Sequence, residues 1–145
     1  MVDQDKMTDE IKSVMAWTSN DRSRVMLGAV CYPKDSVLSV KYLWYSAKYH
    51  YATEMLKRDG YFETRVVYRV DKNPPVETYW YLSIKEGRSP LIYTHVTPKD
   101  SLLVDLTKGQ NVTFRVIDPT GESQDVTFSL SGSGKQLHKV INACK

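Results

Sequence analysis

At 145 residues the chain has the length of one domain with one core, able to bury roughly two-thirds of its unfolded surface. Its formal charge of +3, from 20 Lys and Arg against 17 Asp and Glu, contains no basic block, which gives no ground for nucleic-acid binding. No run of 18 or more apolar residues and no charged-then-apolar leader is present, so the expectation is no membrane span and no export signal.

The first ten residues carry Asp3, Asp5, Asp9 and Glu10 against Lys6, and read as a solvated acidic tail leading into a short helix over Thr8 to Ala16. From Val25 to Cys31 the pattern turns to period two, with Val25, Leu27, Ala29 and Cys31 on one face, so Cys31 points inward from a strand. A turn at Tyr32 to Asp35 leads to a strand-like run from Val37 to Tyr51, with Val40, Tyr42 and Trp44 opposite Leu43, Tyr45 and Tyr49. Residues 52–59 read as one helical turn or a polar connection. Gly60 opens a strand from Tyr61 to Asp71 that Asn73-Pro74-Pro75 ends.

Thr78, Trp80, Leu82 and Ile84 alternate with Tyr79, Tyr81 and Ser83 in a further strand, closed by Glu86-Gly87-Arg88 and followed by another at Leu91 to Val96. Leu102 to Leu106 reads as a strand or a short helix. The strongest turn signal, Asp118-Pro119-Thr120-Gly121, joins Asn111 to Ile117 and Gln124 to Leu130 as a hairpin. Leu137, Val140, Ile141 and Cys144 then recur at helical spacing, placing Cys144 on the buried stripe of a terminal helix.

An aromatic share of 11%, with 10 Tyr, suits these pleated, half-buried surfaces. The predicted fold is mainly β: a single antiparallel β-sandwich with a short N-terminal helix and a C-terminal helix, the tail and first helix occupying 1–16 and the sandwich 17–145.

Cys31 and Cys144, the two cysteines, can form a structural disulfide, a pair of buried thiols or part of a metal site. Metal binding is disfavoured because no CxxC exists and His50, His95 and His138 are isolated from each other and from both cysteines. Gly132-Ser133-Gly134-Lys135 lacks the spacing of a phosphate loop, since Gln136 follows the lysine; it reads as a turn in which Ser131 or Ser133 caps the last helix. Neither GxSxG nor HExxH occurs and no triad can be nominated, so the expectation is a non-enzyme without cofactor or metal. Arg65, Val67, Arg69 and Asp71 share a strand face, where Arg69 and Asp71 form an ion pair or orient a ligand. Tyr42, Tyr45, Tyr49, Tyr51, Tyr79 and Tyr81 supply core residues and an aromatic surface. The candidate partner-binding residues are Arg65, Arg69, Asp71, Tyr79 and Tyr81.

The order Tyr68-Arg69-Val70-Asp71, Trp80 with Ser83, a Leu-rich segment before Lys108-Gly109, then Val126-Thr127-Phe128-Ser129-Leu130-Ser131-Gly132 and a short helix ending in Cys144 resembles two families. These are the invasion-associated locus B proteins and the VasI-like accessory proteins of type VI secretion, over residues 25–145. The resemblance implies a non-catalytic β-sandwich of a bacterial envelope or a phage, with Cys31 bonded to Cys144. The expected function is binding of a protein partner in the periplasm or outside the cell, with self-association among the open forms. The alternative is a cytoplasmic phage or host-interaction factor that inhibits a target by surface contact and keeps its thiols free.

Overall fold

The computed structural model describes residues 2–44, 63–83, 91–117 and 123–145. Nine strands lie in these segments: β1 (Val2–Gln4), β2 (Ile11–Asn20), β3 (Val25–Tyr32), β4 (Val37–Trp44), β5 (Glu63–Val70), β6 (Val76–Ser83), β7 (Leu91–Val96), β8 (Asn111–Ile117) and β9 (Ser123–Ser129). Two helices accompany them, α1 (Ser101–Lys108) and α2 (Ser133–Ala143). Every strand pairing is antiparallel, in the order β1-β2-β3-β4-β7-β6-β5-β8-β9. The two-sheet sandwich expected from the sequence is therefore found as one continuous sheet.

That sheet rolls on itself. The inward side chains of β2 reach the far edge strand, where Thr18 Oγ1 donates to Ser129 O at 3.3 Å and Asn20 Nδ2 donates to Thr127 O at 2.8 Å. Side-chain amides and hydroxyls thus satisfy β9 carbonyls that a neighbouring strand would otherwise meet.

The N-terminal helix is corrected to strand. Asp5 Oδ1 accepts from the amides of Met7 (2.8 Å) and Thr8 (3.1 Å), closing a local turn, and Asp9 takes a positive φ of 60°. β2 then pairs with β3 from Val14↔Cys31 to Asn20↔Val25, passing through Ala16 and Trp17 without a break. Long-range pairing with a strongly apolar neighbour outweighs the weak local helical spacing of Ile11, Val14 and Met15.

Period-two alternation places Val25, Leu27, Ala29 and Cys31 of β3 inward, as expected, together with Leu38, Val40 and Tyr42 of β4. Phe114 of β8 is the centre of an aromatic cluster, its ring centroid 5.4 Å from Trp80, 5.7 Å from Tyr68, 5.8 Å from Tyr42 and 6.3 Å from Phe128. Leu102 to Leu106 resolves as helix: Asp100 caps α1 by accepting from Leu102 N at 2.9 Å, and Leu102, Leu103 and Leu106 face the core. Helix α2 buries Leu137, Val140 and Ile141 of the stripe read from the sequence, whereas its fourth member, Cys144, falls past the helix end and is only partly buried. Its expected serine cap is absent, because Gly132 enters the helix at φ 75° and Ser133 Oγ turns back to donate to Leu130 O at 2.7 Å. Just past the helix, Cys144 is disulfide-bonded to Cys31, with Cα atoms 5.8 Å apart.

The readings at Tyr45, Tyr49, Tyr51, residues 52–59, Gly60 to Phe62, Ile84, Glu86 to Arg88 and Asp118 to Gly121 lie outside the described residues, as does His50.

Candidate functional site: the outer face of the sheet

With the even-numbered core positions of β4 to β6 turned inward, the odd-numbered residues form an outer face. Register aligns six outward-facing positions in a row across six strands, the even-numbered one coming from β3, whose parity is reversed: Trp17, Gly28, Lys41, Tyr93, Tyr81 and Glu63. Near its centre Tyr81 and Tyr93 have ring centroids 5.5 Å apart, and His95 stands 5.4 Å from Tyr93 and 6.3 Å from Tyr81. His95 Nδ1 shares a 2.9 Å hydrogen bond with Ser39 Oγ, which orients the imidazole. Tyr32 and Lys41 converge along the neighbouring strands, the Lys41 ammonium donating to the Tyr32 hydroxyl at 3.1 Å. The register sets these two side chains over Val30 and Ser39, which are only 1% and 2% exposed although they belong to the outer face.

The residues nominated from the sequence divide into two groups. Tyr79, 60% exposed, and Arg65 are cross-strand neighbours on this face, and Tyr81 belongs to the aromatic row. Arg65 is paired with Glu77 at 2.5 Å, and that hydrogen bond holds the Glu77 carboxyl below its ordinary range. Arg69 and Asp71 do not pair with each other. Arg69 donates to the carbonyls of Asn73 (2.9 Å) and Lys72 (3.2 Å), while the Asp71 carboxylate accepts from the amides of Gln110 and Asn111 at 3.0 to 3.2 Å. Asp71 itself has φ 50°, and its amide donates to Asn111 O. Arg69 therefore fastens the turn after β5 back onto that strand, and Asp71 fastens it to the start of β8. Tyr42 is buried in the core at 1% exposure.

Tyr32, Lys41, Tyr93, His95 and Trp17 were not nominated from the sequence. The alternation of Tyr93 with Ile92 and His95 with Thr94 was a usable signal, but which neighbours they meet is set by a pairing of β7 with β4 and β6 that the order of strands along the sequence does not reveal.

On the other side, a cleft of about 470 Å³ opens between β2, β3, the end of β9 and α2. It reaches the buried Leu27 and Val40, and Ser129, Ser131 and Ser133 stand among its polar lining. Among the described residues its lining includes no carboxylate, histidine, lysine or arginine.

No protein-family model and no curated protein matches the sequence. Among solved structures, the crystal structure of invasion associated protein B from Bartonella henselae aligns with a TM-score of 0.59 at 12% identity, over 97% of this chain and 90% of that one. The two proteins share a fold. At that identity the likeness carries the arrangement of strands and helices and leaves the surface residues to be read on their own chemistry.

Proposed function

We propose that this protein is a non-catalytic protein-binding domain of a bacterial envelope, or one encoded by a phage, that docks its partner on the outer face of the sheet. The supporting observation is the Tyr81–Tyr93–His95 cluster, held in one register across β6 and β7 on the face of the sheet opposite the core. Aromatic residues on a rigid sheet offer large contact area at low entropic cost, the composition that recurs at interface centres. The Cys31–Cys144 bridge supports an oxidising setting, whereas the cytoplasmic alternative calls for free thiols. The likeness to an invasion associated protein fits the same reading, while the VasI-like side of the resemblance rests on the sequence motifs alone.

A photo-crosslinking residue at Tyr93, in the organism that encodes the protein, tests this directly. The expected result is one defined protein adduct from Tyr93 and none from Asn142 on the exposed side of α2. Equal labelling from both positions, or none from Tyr93, rules the outer face out as the docking surface.

A further inference from the structure

The cations of the outer face differ in how their charge is met. Arg65 is paired with Glu77, and Arg115 holds Asp125 through hydrogen bonds of 2.7 and 2.8 Å. Lys41 is placed otherwise. Its ammonium has the Tyr32 hydroxyl at 3.1 Å and the Tyr32 ring centroid at 5.3 Å, and among the described residues no carboxylate lies at ion-pair distance from it. The side chain is half-buried. A half-buried cation whose described neighbours are neutral gains more from an arriving carboxylate than a fully hydrated one does.

Its position gives that gain a use. Lys41 is the direct cross-strand neighbour of Tyr93, which leads to Tyr81, so one charge sits at the end of an aromatic strip. Glu63 lies at the opposite end, three strands away from Lys41, and repels an acid there. The charges and the aromatic surface together orient an incoming segment, with its acid at Lys41 and its apolar side chains on Tyr93 and Tyr81.

We infer that Lys41 anchors a carboxylate of the protein partner, so that the outer face recognises an acidic segment in which Asp or Glu stands beside aromatic or apolar residues. This rests on the outer-face reading and adds the chemistry of the partner. The Tyr32 hydroxyl holds the ammonium in place before binding, which lowers the ordering cost when the carboxylate arrives. His95, fixed by Ser39, sets the flank of the strip.

The test is to pan a random dodecapeptide phage library against the intact, oxidised protein and against Lys41→Met, with Lys41→Arg as the charge-preserving control and Lys41→Gln in reserve if the methionine disturbs the near-ultraviolet circular dichroism. Peptides from the wild type and Lys41→Arg are expected to place Asp or Glu next to an aromatic residue. Those from Lys41→Met are expected to keep the aromatic and lose the acid. For a synthetic peptide of the selected sequence, changing its Asp or Glu to Asn or Gln should weaken binding to the wild type about tenfold and leave binding to Lys41→Met unchanged. Peptides that require Tyr81 and Tyr93 but show no preference for acid overturn the Lys41 assignment and leave the outer-face reading standing. Peptides indifferent to Tyr81→Ser and Tyr93→Ser, or no enrichment at all, overturn both.

Discussion

Trp17 and Gly28 show how one residue can depend on another that sequence does not place beside it. A methyl group added at Gly28 would collide with the Trp17 indole and come within 2.9 Å of Ala16 O, so the glycine gives the ring its seat. Gly28→Ala is expected to destabilise the fold by about 1–3 kcal/mol, the range for overpacking, read as a lower urea midpoint at unchanged m-value. In the sequence Gly28 is an interruption in a strand pattern; only the pairing of Trp17 with Gly28 gives it a purpose. Arg69 and Asp71 teach the reverse, since their spacing on one face suggests a pair, while both are engaged by nearby backbone groups. The carboxylates of Glu77 and Asp125 belong to the same scale. Hydrogen bonds from Arg65 and Arg115 hold both below the ordinary carboxylate range, so the folded protein binds protons less readily there than the unfolded chain. The stability they add is present above that range and is lost as the pH falls through the lowered values. Melting temperature should hold above about pH 5 and decline below about pH 4, modestly because both pairs are exposed. The double variant Glu77→Gln, Asp125→Asn should decline less steeply, and an unchanged slope would count against this account.

At the level of elements, periodicity was most legible where an element has one wet and one dry face. The strands at Glu63–Val70 and Asn111–Ile117 and the stripe of α2 all follow that rule. It failed at the N-terminus, where Ile11, Val14 and Met15 fit either a helix or a strand and the choice fell to pairing with β3. Helix α2 packs against β2 and β3 inside the roll, and its buried Leu137 also lines the cleft. Leu137→Ala should cost about 2–4 kcal/mol in chemical unfolding, towards the lower end because the cleft already leaves one side open. The β2–β9 seam is tied by two described side-chain bonds, so Asn20→Ala should cost only about 1 kcal/mol yet raise amide exchange selectively along β9, as a local opening would.

For the whole molecule, the disulfide joins the third strand to the end of the last helix, with a sequence separation of 113. A chain-entropy estimate for so long a loop is about 4–5 kcal/mol, and both sulfurs lie where β3 and α2 already touch. Cys144→Ser is expected to lower the melting temperature strongly under oxidising conditions, and reductant should bring the wild type towards the variant. Coincident melting curves for the two oxidised proteins would show that packing alone holds the helix in place.

The sequence by itself determined which residues are wet and which are dry along most strands, the antiparallel β character, the terminal helix and the availability of its two cysteines, because alternation and helical spacing are local consequences of backbone geometry. Only the tertiary structure decided that the strands form one rolled sheet, that the N-terminal segment joins it, and that Lys41, Tyr93, Tyr81 and His95 meet on its outer face. Those outcomes depend on strand order and register, where energies come from partners distant along the chain and a shift by one residue exchanges the two faces.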